Sequence, residues 1–300
     1  MKKLFSILLV TLFVAYMAVS VSAGATNDAQ YNIPKAAAAP TIDGKITDDE
    51  WNNALALQLN KDTTDAVAGT LDTCPESTFY WMWNDAGLYF FADVKDTTDS
   101  GIAHPLNAGS YNSGDGVQFC IYPDVTASGA NVGDLYFWSL VIAEGGVAEI
   151  GEHFVFGTGS AGGDVEDAVI AGTKNGTSYT VEAFMPKVCW GGSNVPLEIA
   201  EGTTFAMTNV IMEHDGTTQS LIIDSGWFDA NITNKYTLTS DVAGHVDAPE
   251  TEAAAVVEDV VAEDVVAEDA PAAQTGDIAA ASSVILLACA AAVIFLNKKR

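Results

Sequence analysis

Between Leu57 and Thr239 hydrophobic residues recur at every second position, the period of a strand with one buried face, and not at the three-to-four spacing of a helix. The alternation predicts strands at Ala66–Thr70, Phe79–Trp83, Leu88–Val94, Gly116–Tyr122, Leu135–Ile142, Val147–Val155, Ala168–Gly172, Ser178–Met185, Thr204–Glu213, Gln219–Ile223 and Tyr236–Thr239. Within Gly116–Tyr122, for example, Val117, Phe119 and Ile121 alternate with Gln118, Cys120 and Tyr122. Asn84-Asp85-Ala86-Gly87, Lys174-Asn175-Gly176-Thr177 and Asp215-Gly216 supply the turn chemistry of hairpins between neighbouring runs. About eleven short strands with almost no helical pattern predict an all-β fold, an antiparallel two-sheet β-sandwich.

The richest run is Thr78 to Asp96, where aromatic and β-branched side chains flank the turn at Asn84 to Gly87. Two readings fit it: the centre of the core, or a ring platform for a sugar face, with the core reading favoured. Upstream, Thr47 or Asp48 caps a predicted helical turn through Asp49-Glu50-Trp51-Asn52-Asn53-Ala54, with Trp51 and Leu55 turned inward. Such an element would plug one end of a sheet.

The pattern changes at both ends. Lys2 and Lys3 precede an apolar run, Leu4 to Val21, and small residues through Ala25, which predicts a signal peptide over residues 1–25. The sandwich is assigned to 26–245. Residues 246–273, with the repeated Val-Val-Ala-Glu-Asp unit, are dense in like charge and read as an acidic, disordered linker. The apolar run from Ile278 to Leu296 is long enough to cross a bilayer, and Lys298-Lys299-Arg300 after it places the C-terminus inside. Both ends therefore predict an extracellular domain.

Charge narrows the partners. Twelve Lys and Arg against 40 Asp and Glu give a net charge of −28, a field that opposes binding to a phosphate backbone, so no nucleic acid is expected. Hard carboxylate oxygens suit calcium, and Asp93, Asp96 and Asp99 form the local candidate group. Apart from Cys289 in the terminal apolar run, Cys74, Cys120 and Cys189 allow at most one disulfide, and no CxxC spacing suggests zinc. No positioned acid/base pair or activated nucleophile stands out, so the domain is expected not to be an enzyme.

Four pieces in order, Thr41-Ile-Asp-Gly-Lys-Ile-Thr-Asp-Asp-Glu-Trp51, Phe79-Tyr-Trp-Met-Trp83 with Asn84 to Phe90, Val94-Lys95-Asp96, and Gly114-Asp115-Gly116-Val117-Gln118-Phe119, resemble the family 9 carbohydrate-binding module. The resemblance runs from about Ile33 to Thr239 and implies a sandwich of the wider DOMON type, a docked polysaccharide or oligosaccharide, and calcium. Members of that family clamp sugar between two Trp. The matching positions here fall near Asn112, beside Tyr111, and near Ala230, after Trp227 and Phe228. Tyr111 and Trp227 are thus the implied stacking pair, Gln118 stands where the family places a hydroxyl-binding glutamate, and Asp115, Asn209 and Glu213 complete the candidate set. Each has a plainer reading beside it: loop aromatic for Tyr111, core cap for Trp227, loop support for Asp115.

At the C-terminus, Gln274-Thr275-Gly276-Asp277 before the apolar run and Lys-Lys-Arg resembles a Gram-positive sortase signal over 274–300, without its leucine and proline. It implies cleavage between Thr275 and Gly276; otherwise the run is a membrane anchor. Two alternatives to a displayed sugar-binding protein remain open: a haem-binding redox module using Met82, Met207, Met212, His153 or His214, as DOMON relatives do, and a structural wall adhesin.

Overall fold

The computed structural model describes residues 28–240 except 48–49, 100–101, 109–110, 112, 128–134, 153–164 and 192–195, with backbone alone at 152 and 166. The expected signal peptide, linker, anchor, Thr275, Gly276, Asn112 and His153 lie outside the described residues. No helix among the described residues is long and apolar enough to cross a membrane.

Among the described residues, thirteen strands form two sheets. One contains β2 (Leu55–Leu59), β4 (Glu76–Asn84), β5 (Gly87–Lys95), β10 (Ser178–Pro186) and β9 (Val169–Asn175), in that order. The other follows the path β1 (Gln30–Pro34), β13 (Lys235–Thr239), β11 (Thr204–His214), β6 (Gly116–Tyr122), β7 (Tyr136–Ala143) and β8 (Val147–Glu152). β12 (Gln219–Ile223) also pairs with β11 and carries β3 (Asp65–Ala68) beyond it. Pairing is antiparallel except between β1 and β13.

Register explains the core. Phe79, Trp81 and Trp83 of β4 stand opposite Ala92, Phe90 and Leu88 of β5, all on the face turned toward the other sheet. There Phe119 meets Trp81 at 5.3 Å and Trp138 at 5.8 Å, while Trp138 stacks on Trp190 at 4.6 Å. Trp81 and Trp83 are buried, so the Thr78–Asp96 hairpin is the centre of the core and not a sugar platform. Fully burying each such ring contributes on the order of 2–3 kcal/mol.

Two strands escaped the sequence pattern. β1 has two inward apolar residues and ends on Pro34, which an edge position tolerates because Pro lacks a ladder donor. β2 begins at Leu55, the residue assigned to the inward face of a helical turn. Glu50 to Ala54 is only a turn, closed by Ala54 N–H donating to Trp51 O at 3.0 Å. The segment covers the outer face of the five-stranded sheet rather than its end: Trp51 packs with Met82, Tyr89 and Phe91. Cys74, Cys120 and Cys189 are all free, and the sandwich is held by its core.

Candidate functional site

Three of the sequence candidates converge at one end of the sandwich. Asp96 follows β5, and its Oδ1 accepts from Thr98 N at 2.8 Å, a turn that fixes the chain as it leaves the strand. Asp115 precedes β6; its Oδ1 accepts from His214 N at 3.1 Å, and its carbonyl meets His104 Nε2 at 2.8 Å. Glu213 lies on β11 in the inward series Phe205, Met207, Asn209, Ile211, a carboxylate on an otherwise mostly apolar stripe. Its Oε1 accepts from the Thr98 hydroxyl. One oxygen from each of the three carboxylates lies within 4.8 Å of the others.

Electrostatics set this cluster apart. Asp96 and Glu213 are buried, and among the described residues neither makes an ion pair with Lys or Arg. Burial, reinforced by the charges of Asp96 and Asp115, pushes the Glu213 carboxyl up to about 8. Burial raises Asp96 as well, with Asp115 adding to the effect. Asp96 Oδ2 and the buried Tyr179 hydroxyl have no hydrogen-bond partner. A cavity of about 30 Å³, lined by His104, Asp115, Lys174 and Tyr179 among others, adjoins the cluster and has room for a water-sized species. The donors are all hard oxygens, the set that calcium takes.

Asp93, Asp96 and Asp99, expected from local spacing to gather around calcium, do not come together. Asp93 points to the outer face of the five-stranded sheet and pairs with Lys95 at 2.7 Å, and exposed Asp99 is not in the cluster. Only Asp96 belongs, and its partners come from 19 and 117 residues further along the chain (115 − 96 and 213 − 96).

The remaining sugar candidates are dispersed. Asn209 is inside the core, where it accepts from Trp81 Nε1 at 3.2 Å and donates from Nδ2 to Asp224 Oδ2 at 2.7 Å. No ligand reaches it there. Burial pushes Asp224 up to about 6, tempered by the hydrogen bonds from Asn209, Ser225 and Tyr236. Gln118 and Tyr111 lie on the outer face of the eight-stranded sheet. Gln118 Nε2 donates to Ser139 Oγ at 2.9 Å and to Tyr111 O at 3.2 Å, leaving its buried Oε1 without a partner. The Tyr111 ring covers Val141 and Met212, and its hydroxyl donates to Glu149. At 3% exposed it is a cover for the sheet and offers no open ring face.

Trp227 sits on the same face, packed on Phe137 at 5.6 Å and Phe228 at 4.5 Å. Phe137 and Val141 are four residues apart on β7, about 13 Å, so Tyr111 and Trp227 do not form a facing pair. Of the six tryptophans, five are buried, and Trp227 alone keeps part of its ring accessible. Its loop is joined to the one after β6 by Ala230 N donating to Ala127 O at 2.8 Å. The two loops carry Asp124, Thr126, Asp229 and Asn231, all at least partly exposed. Sequence reasoning missed these four; their short Asx turns, with Asp124 Oδ1 accepting from Thr126 N at 2.9 Å and Asp229 Oδ1 from Asn231 N at 3.1 Å, were the readable signal.

Among the described residues, the haem candidates do not converge either. Met82 is on the outer face of the five-stranded sheet, Met207 is in the core and Met212 is under Tyr111. His214, at the end of β11, accepts from Gly216 N through Nδ1 at 3.0 Å.

A family 9 carbohydrate-binding module from Caldicellulosiruptor kristjanssonii, solved with cellotriose, is 18% identical, with a TM-score of 0.49 over 71% of this chain and 94% of that one. The structure described as that organism's family 9 module with glucose gives 18% and 0.48, over 71% and 96%. No curated protein matches the chain. The profile of the family described as "Carbohydrate family 9 binding domain-like" matches residues 42–242, about two thirds of the sequence, and the chain belongs to that family.

Proposed function

We propose that the protein is a non-catalytic carbohydrate-binding module that docks polysaccharide or oligosaccharide through Trp227 and the loops at Asp124–Thr126 and Asp229–Asn231. The observation that carries this reading is the single partly accessible tryptophan, set among exposed carboxylate, amide and hydroxyl groups. A sugar offers a C–H face to an aromatic ring and hydroxyls to the polar groups around it, the combination that such sites provide. Family membership supports the same class of ligand. The apolar runs at Leu4–Val21 and Ile278–Leu296 support export and display on the surface of a Gram-positive bacterium, with the tail in the membrane or joined to the wall at Thr275.

A glycan array followed by titration calorimetry tests the assignment. We expect binding to at least one plant or microbial glucan or xylan oligosaccharide, and a drop of at least tenfold in affinity for Trp227→Ala. Trp227 is only half-buried, so the variant keeps its fold, which circular dichroism verifies. No binding across the array, or binding unchanged by Trp227→Ala, overturns the proposal.

A further inference from the structure

We propose that Lys235 and Tyr122 are positioning residues of the Trp227 site: from the sheet beneath, they grip the backbone of the loop that carries it and hold that loop in its sugar-binding form before a ligand arrives. The inference rests on the assignment of the site to Trp227. In the ladder, Lys235 of β13 stands opposite Ala206 of β11, and Ala206 stands opposite Tyr122 of β6. The three form one cross-strand row on the outer face of the eight-stranded sheet, with a long polar-tipped side chain at each end and a methyl group between. Ala206 and Tyr122 pack there with Trp227, Phe228 and Ala230 of the loop.

Each end of the row takes hold of a different stretch of the loop. Lys235 is only 9% exposed, and its Nζ donates to Ala230 O at 2.6 Å, Thr233 O at 2.5 Å and Asn231 O at 3.4 Å, with Asp28 Oδ1 at 3.1 Å as the counter-charge. A buried ammonium is costly unless its donors are used, and an apolar side chain would cover the sheet here without that cost. The charge is therefore explained by the loop it holds, in which Asn231 stays exposed beside half-buried Asp229. At the other end the buried Tyr122 hydroxyl accepts from Phe228 N at 3.0 Å. Phe228 has φ +52, the left-handed region that a bulky residue avoids, so this hydrogen bond sustains a backbone conformation the chain would not adopt by itself. Phe228 directly follows Trp227, and with its own ring turned down onto Phe137 at 5.7 Å the chain leaves Trp227 partly accessible. Gly226 closes the loop on itself, since a Cβ there would lie 2.6 Å from Ile232 Cγ1. A loop fixed in this way does not have to be ordered by the sugar, which raises affinity.

The test uses the full chain with Lys235→Met, which keeps the stem and removes the ammonium, and Tyr122→Phe, which removes one oxygen. Calorimetry with the glucan or xylan oligosaccharide that binds the parent most tightly is read together with hydrogen exchange at the Phe228 and Ala230 amides. A loop that holds the binding form only about a tenth of the time binds about tenfold more weakly, which is the loss expected of each variant. In the free variants the two amides should exchange about tenfold faster or more, while those of β4 and β5 keep the parent's rate. Saturating oligosaccharide should return the two amides to the protection of the bound parent. Affinity within about threefold of the parent in both variants overturns the proposal, as does unchanged exchange at Phe228 and Ala230. Faster exchange throughout the sandwich overturns it too, since the pair would then serve the fold and not the site. Trp227→Ala in the same series separates this outcome from the site assignment. If that variant binds like the parent, or the parent binds nothing, the assignment to Trp227 falls and the role of the pair with it; if it alone loses binding, only the positioning role falls.

Discussion

Glu182 offers a quantitative test of how the N-terminal segment is held. On the outer face of β10 it is fully buried, and its carboxylate accepts from Asp43 N at 2.9 Å, Gly44 N at 2.7 Å and Trp51 Nε1 at 3.3 Å. Hydrogen bonds to a charged acceptor contribute about 1.5–3 kcal/mol each, so three make about 6 kcal/mol gross. Against this stands the cost of burying the carboxylate, the same effect that raises its pKa. Taking that cost as about half of the gross, Glu182→Ala should destabilise the domain by about 2–4 kcal/mol. Glu182→Gln should cost less, about 1–2 kcal/mol, since its carbonyl can still receive both backbone donors and only the Trp51 indole then faces an N–H. Gly44 fixes the segment in place: at φ +77 its missing Cβ would lie 2.7 Å from the Gly172 backbone, so the segment cannot recover its contacts by moving inward. Urea unfolding gives the energies, and hydrogen exchange at the Asp43 and Gly44 amides reports the detachment. A loss below 0.5 kcal/mol for Glu182→Ala (on the order of an ordinary surface change), or Gln costing more than Ala, would refute the idea that this carboxylate anchors the segment.

Two further outcomes are expected. Gly87→Ala would place a Cβ 2.2 Å from Met185 O, in the hairpin at the heart of the core, and should cost about 2–4 kcal/mol in denaturant unfolding. In EDTA, stability should fall as pH rises: Glu213 at about 8 and Asp224 at about 6 both bind their protons more tightly folded than unfolded. Their contribution is therefore complete below their ordinary values near 4, and is lost as pH climbs through 6 and then 8. After allowance for solvent screening, Glu213 accounts for about 2 kcal/mol of the loss, read from melts between pH 5 and 9.

The strands were legible because alternation is a local property. Gly116–Tyr122 and Gln219–Ile223 have the bounds the pattern predicts, since one face of each is packed against the opposite sheet or its cover. β2 was not legible, because Leu55 serves equally well as the inward residue of a turn or the first residue of a strand, and only its pairing with Trp81 decides. β1 is held by five parallel register pairs to β13, some two hundred residues away, which no local window contains.

The candidate sites divide along the same line. Trp227 could be named from residue type, but what makes it a sugar candidate is that every other tryptophan is buried, a comparison only the fold supplies. The carboxylates show the reverse case. Local spacing gathers Asp93, Asp96 and Asp99, yet alternation along β5 sends Asp93 to the outer face, so the register that turns Asp96 inward turns Asp93 away from it. Asp96 finds its partners across the sheet gap, and the mark of those partners was present in the sequence as a breach of pattern. Glu213 occupies an inward position in β11, where its neighbours two and six residues back are Ile211 and Met207. A carboxylate at such a place is costly unless something neutralises it. The other inward polar residue of that strand, Asn209, has its neutralising partners in Trp81, Asp224 and Tyr236. Glu213 has the Thr98 hydroxyl and two more carboxylates, and that imbalance, more than the count of acids, is what sets it apart from Asn209 and holds its proton on.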